Sequence, residues 1–187
     1  MPTSRAFLGV AAASNGKVYA IGGHNGAYLT AVEEFNPVLS TYGSFNVLNT
    51  TIRSGNLSTP EDSLVLNSMV GGSITIGPDI PGYDGLVQNT TASGSISILG
   101  SGAVQNVTVT GGISIGSGQV LSNTLTGGGI SAGTGSIVRS NNIEDAPGWA
   151  IQGASTVVAN RLVGNAAGIQ ASGGTIQGNL VANGTGV

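Results

Sequence analysis

Asparagine recurs along this chain at a nearly fixed step, and that step limits the fold more than any other feature. Asn49, Asn67, Asn89, Asn106, Asn123, Asn141, Asn160 and Asn179 follow one another at intervals of 18, 22, 17, 17, 18, 19 and 19 residues. Most carry an aliphatic residue two positions earlier, as in Val47-Leu48-Asn49, Val87-Gln88-Asn89 and Val104-Gln105-Asn106. A second series keeps step with the first. Ile74, Ile96, Ile113, Ile130, Ile151, Ile169 and Val187 each follow Gly, Ser or Ala, at intervals of 22, 17, 17, 21, 18 and 18. A third series stands two residues after the Asn, at Met69, Leu125, Ile143 and Leu162, with Thr91 and Thr108 in two of its places. Independent markers with one period mean that one structural unit is repeated.

The unit reads as strand. Ile74-Thr75-Ile76, Ile96-Ser97-Ile98 and Ile113-Ser114-Ile115 alternate apolar and polar, which puts one face inward and the other outward. Short strands, Gly and Asn corners and a period of 17–22 describe a solenoid. The Leu-x-x-Leu-x-Leu of a leucine-rich repeat does not occur. Asn suits the corners because it tolerates left-handed backbone and its amide both donates and accepts. One amide per turn predicts a single inward ladder of all eight Asn, with Asn89, Asn106 and Asn123 directly above one another. The pattern resembles a right-handed parallel β-helix of the pectin-lyase-like class. That resemblance implies three short strands per coil on three stacked parallel sheets. At about 4.8 Å per coil, the rod is about 35–40 Å long. Five Asn-x-Ser/Thr sequons occur, at Asn49, Asn56, Asn89, Asn106 and Asn183. An inward ladder would sequester three of them and leave Asn56 and Asn183 accessible.

Residues 1–43 differ in texture from 44–187, and the domain boundary is placed there. Phe7 to Ala13, Lys17 to Ile21 and Leu29 to Phe35 read as three strands. They are separated by the Ser14-Asn15-Gly16 turn and by Gly22-Gly23, and Asn36-Pro37 closes the third. Pro2 to Ala6, the run Asn15-Gly16-Lys17-Val18-Tyr19-Ala20-Ile21-Gly22-Gly23, Tyr28, and Val32-Glu33-Glu34-Phe35-Asn36-Pro37 together resemble one kelch repeat. Tyr42 stands where that family ends its blade with Trp. The resemblance implies an antiparallel blade-like sheet. Kelch proteins close about 4–8 such blades into a propeller, whereas this stretch holds one. The expected fold is therefore all-β: a parallel β-helix preceded by a kelch-blade-like sheet.

Composition excludes several functions. Only 5 basic and 8 acidic side chains occur in 187 residues, 7% in all, against about a quarter in an average chain. Five scattered basic residues cannot make a nucleic-acid surface. The absence of Cys removes thiolate metal sites and thiol nucleophiles. No apolar run approaches the roughly 18 residues of a membrane-spanning helix. Between Gly85 and Val138 there is no charged side chain over 54 residues.

Candidates for chemistry are few. Asp79, Asp84, Arg139, Glu144, Asp145 and Arg161 are the ionisable residues that a polysaccharide lyase or hydrolase of the resembled class would use. Asp79 and Asp84 lie in the Gly77–Gly85 insertion, and Glu144-Asp145 lie at another inserted corner several coils away, about 15–25 Å off. Glycoside hydrolysis needs two carboxyls about 5–10 Å apart. Arg139 and Arg161 fall on different sides of a corner. His24, the single His, reads as a loop residue. Gly127-Gly128-Gly129 lacks the Lys of a phosphate loop. No catalytic residue, metal ligand or cofactor is assigned. Trp149 is the one candidate sugar contact. Thr108-Val109-Thr110 and Thr124-Leu125-Thr126 are two rungs of a threonine ladder.

These readings favour a structural, self-associating solenoid outside the cell or on its surface, in a filament, sheath or surface layer. The partner is then another copy, stacked end to end or side by side. A solenoid that stops at Gly186-Val187 without a capping helix would leave an edge open to strand addition. The alternative is a carbohydrate-binding or adhesive domain with polysaccharide as partner.

Overall fold

A computed structural model describes residues 6–7, 9–12, 18–30, 32–35, 45–60, 62–77, 84–154 and 156–184. Met1–Thr41 and Tyr42–Val187 form two compact units. Every regular element among the described residues is β.

In the first unit, strands Gly9–Ala12, Val18–Ile21 and Val32–Phe35 form an antiparallel sheet in sequence order. The third strand is shorter than expected, because Leu29 is spent on the preceding loop, its amide donating to the carbonyl of Gly23 at 2.9 Å. Gly22 and Gly23 leave the second strand at φ 64° and 108°, a left-handed region that a side chain disfavours. That requirement explains the double glycine. The Ser14-Asn15-Gly16 turn, Asn36-Pro37 and Tyr42 lie outside the described residues.

The second unit is a parallel solenoid of about seven turns. Each turn presents three faces. The first face stacks Asn46–Leu48, Leu64–Leu66, Asp84–Gln88 and their successors, all parallel. Its inward column is Val47, Val65, Val87, Val104, Val120, Val138 and Val157, each 6% exposed or less. The second face follows the asparagine corner, with Val70, Ala92, Val109, Leu125, Ile143 and Leu162 inward. The third face carries the isoleucine series. Ile74, Ile96, Ile113, Ile130, Ile151 and Ile169 pair one above another, as their spacing predicts, and Val187 lies outside the described residues. Burying one such side chain is worth about 1.5–3 kcal/mol, so the three columns supply most of the driving force for winding.

Two details differ from the expectation. The three faces form two hydrogen-bonded sheets. Strands Ile96–Gln105 and Ile113–Leu121 run unbroken from the third face onto the first, fusing both into one sheet of 13 strands. Glycine permits that sharp continuation: a Cβ on Gly102 would collide with the carbonyl of Gly85, and one on Gly118 with the carbonyl of Gly102.

The second difference concerns the ladder. Asn49, Asn67, Asn89 and Asn106 occupy left-handed corners (φ 50°, 50°, 50° and 52°) and are exposed. The next corners in this column are Ser122, Ser140 and Ala159 (φ 57°, 58° and 56°). Asn123, Asn141, Asn160 and Asn179 stand one residue later and turn inward. The single eight-membered ladder is thus corrected to two adjacent columns. Asn89 stacks on Asn106, but Asn123 does not. The change occurs where Gln105 pairs with Leu121, a step one residue shorter than the one between Asn106 and Asn123. The same offset explains the interrupted third series. Thr91 pairs with Met69 and Thr108 with Thr91 on the outward side, Met69 is 55% exposed, and the buried residue in its turn is Val70. The sequestration expected of Asn49, Asn89 and Asn106 is corrected likewise.

Candidate functional site

The inward corner column is built in two chemistries. Thr50, Ser68 and Thr90 use hydroxyls: Ser68 Oγ accepts from the Thr50 amide at 3.2 Å, and Thr90 Oγ1 from the Ser68 amide at 3.3 Å. Each hydroxyl also donates to the carbonyl two residues back, on Leu48, Leu66 and Gln88. Val107 interrupts the column. From Asn123 onward the ladder is amide. Asn141 Oδ1 accepts from both the backbone N–H and Nδ2 of Asn123, at 2.9 Å each. Asn160 does the same for Asn141, and Asn179 for Asn160, all at 2.9 Å. The Nδ2 groups also donate to carbonyls of the first face, on Val104, Val120, Val138 and Val157, at 2.8–3.0 Å. Asn123, Asn141 and Asn160 are 1–2% exposed, so the bonds linking these three are shielded from water, and Asn179 ends the column half-buried. Asn165, which the periodicity did not single out, makes a shorter version at the following corner, bonded to Ala146 and Ile143. These residues hold the fold, and Asn123, Asn141, Asn160 and Asn165 are sealed from ligands.

The ionisable candidates are dispersed, apart from Glu144 and Arg161, which pair. Asp79 lies outside the described residues. Asp84 opens a strand of the first face and pairs in register with Ser101. Arg139 is also on the first face, whereas Arg161 is on the second. Glu144 stands on the outer side of the second face. Arg161 Nη1 donates to it at 2.7 Å and to Asn142 Oδ1 at 2.7 Å, and Asn142 Nδ2 donates to Glu144 at 3.2 Å. The Arg161 guanidinium, then the Asn142 amide, hold the Glu144 carboxyl below its ordinary value. A carboxylate held in this way is a poor general acid. Asp145 takes a left-handed corner at φ 56° and stacks on Gly164. Among the described residues no three His, Asp or Glu gather as a metal site.

Two surface features remain on the solenoid. Trp149 begins the strand Trp149–Gly153, pairs with Ala167 and is 39% exposed. A shallow trough crosses the outer side of the first face, with Asp84, Leu86, Gln88, Ala103, Gln105 and Gln119 along it. Ser101 and Ser117 close one flank, their hydroxyls 2.8 Å apart. Ala103 makes the trough, because its methyl lies between Leu86 and Gln119 in one column. Of these residues, sequence reasoning singled out only Asp84. The signal was the repeated Val-Gln-Asn at 87–89 and 104–106, which puts two glutamines in register.

In the first unit, His24 packs edge-on against Tyr28, ring centroids 5.4 Å apart, and its Nδ1 accepts from the Gly26 amide at 3.3 Å. Phe7 and Tyr28 are both 93% exposed. A family model described as Kelch motif matches residues 8–42. No curated protein and no solved structure matches the chain. The kelch resemblance is thus carried by the first unit alone.

Proposed function

We propose that the chain is a structural, self-associating β-solenoid, a subunit of an extracellular filament, sheath or surface layer. The observation that carries this reading is the path of the charge-free segment. Gly85 to Val138 winds through three successive turns and all three faces, so the middle of the solenoid has no charge on any side. Interspersed charge is what normally keeps folded proteins apart. Here the outward residues are hydroxyls, amides and aliphatics, which tolerate contact with a like surface. The partner is another copy, with no role for nucleic acid and no catalysis, and the solenoid class is the pectin-lyase-like one that the coil resembles. The test is electron microscopy of the purified chain alongside sedimentation over a range of concentrations. Ordered assemblies are expected; monodisperse monomers at millimolar concentration would refute the reading.

The second reading is a carbohydrate-binding or adhesive surface, favoured by one observation, the partly exposed indole of Trp149. A flat ring offers a stacking platform to a sugar. Retention on insoluble polysaccharide that disappears in Trp149→Ala would move the conclusion to this reading. A polysaccharide-degrading enzyme is the reading least favoured, since Glu144 is engaged by Arg161 and Asp84 stands on another face.

A further inference from the structure

The outward columns of the first face differ in how far they are symmetric about their middle. One column reads Leu66, Gln88, Gln105, Leu121 over four successive turns. The column beside it reads Leu64, Leu86, Ala103, Gln119 over the same turns, with a large residue beside the small one that forms the trough and unlike residues at its ends. On the flank, Asp84 is next to Ser101. These residues are half-buried or exposed and face away from the core. Turning the face over about an axis along the strands, between the turns of Gln88 and Gln105, reverses the order of turns but not of columns. Leu66 then meets Leu121 of the second copy, Gln88 meets Gln105, Leu86 meets Ala103 and Asp84 meets Ser101. Leu64 meets Gln119, the one unmatched pairing; the others are aliphatic on aliphatic, amide on amide, knob over hollow and carboxylate beside hydroxyl. A two-fold interface demands this self-complementarity.

We propose that this face pairs with the same face of a second copy, the two solenoids running antiparallel, with Leu86 of each seated over Ala103 of the other. The pairing rests on the self-association reading above and supplies its first step. Four turns at about 4.8 Å and five residues at about 3.3 Å give a face of about 300 Å². Stable complexes bury about 800 Å² per partner, so this contact is weak and reversible. A weak lateral contact suits a subunit whose assembly is driven by repetition.

Sedimentation equilibrium of the full chain up to about 1 mM tests the proposal. The intact protein is expected to dimerise reversibly. Ala103→Leu enlarges the hydrophobic face yet sets Leu86 against a leucine, and it should weaken association at least tenfold. The swap Leu86→Ala with Ala103→Leu restores knob over hollow and should recover most of the association. Thr126→Lys, on the second face, should leave it unchanged. Unaltered far-UV circular dichroism shows that each variant is folded, and Leu66→Lys serves in place of Ala103→Leu if the latter misfolds. Association that strengthens in Ala103→Leu would overturn the proposal, as would a swap that fails to recover. Filaments that persist when these variants abolish dimers would sink the pairing and leave the structural reading intact; absence of both dimers and filaments would sink both. Binding to insoluble polysaccharide through this face by a monomeric protein would give the face to a glycan and also refute the pairing.

Discussion

Asn141→Ala is the substitution that most directly tests the inward amide column. In the native chain Asn141 Oδ1 accepts two bonds from Asn123, and Asn141 Nδ2 donates to Asn160 Oδ1, Val120 O and Arg139 O, at 2.9–3.1 Å. Alanine removes all five. The backbone N–H of Asn123 is left in a site where its own residue is 1% exposed, and an orphaned buried donor costs about 1–3 kcal/mol. Asn123 Nδ2 keeps Val104 O, and Asn160 Oδ1 keeps the Asn141 backbone N–H, so those groups lose a fraction of their bonding. Adding the vacated volume, we expect a total of about 3–5 kcal/mol, or about 6–20 °C in Tm for a unit of this size. Asn106→Ala is the matched control. Asn106 is exposed, and Ala159 already holds φ 56° in the same column, so its cost should stay near 1 kcal/mol. The assay is urea unfolding followed by far-UV circular dichroism, with hydrogen exchange at the Asn123 amide as the local readout. Equal costs for the two variants, or undiminished protection at Asn123, would refute the division into two columns.

Val107→Thr should stabilise the solenoid by about 1 kcal/mol, against the usual cost of a hydroxyl in a core. The new Oγ1 would continue the Thr50, Ser68, Thr90 series, accepting from the Thr90 amide and donating to the Gln105 carbonyl; a lower urea midpoint would contradict this. Gly118→Ala should cost several kcal/mol, because its Cβ would strike the Gly102 carbonyl at φ 118°, whereas Gly135→Ala, with open space around it at φ 88°, should cost about 1 kcal/mol in thermal melts. For Glu144, the lowered carboxyl means a contribution present above its unfolded-state pKa and lost as pH falls through the folded value. Arg161→Ala should raise the Glu144 pKa in a carboxyl NMR titration and remove that acid-side loss, and an unmoved titration would dispose of the ion pair.

Much of the architecture is legible in the sequence. The isoleucine series stacks as its spacing requires, because an inward aliphatic must recur once per turn if the core is to be continuous. The three N-terminal strands and the glycine pair follow from local alternation and backbone sterics. What periodicity could not resolve is which of two neighbouring positions an asparagine takes. A left-handed exposed corner and an inward hydrogen-bonding site lie side by side at each turn, and asparagine suits both for different reasons, one conformational and one chemical. A turn shorter by a single residue moves the side chain from one to the other, and only stacking against the next turn decides it. The trough has the same origin. Leu86, Ala103, Gln88 and Gln105 are unremarkable in the linear order, and they become a surface because parallel register sets residues 17 apart side by side.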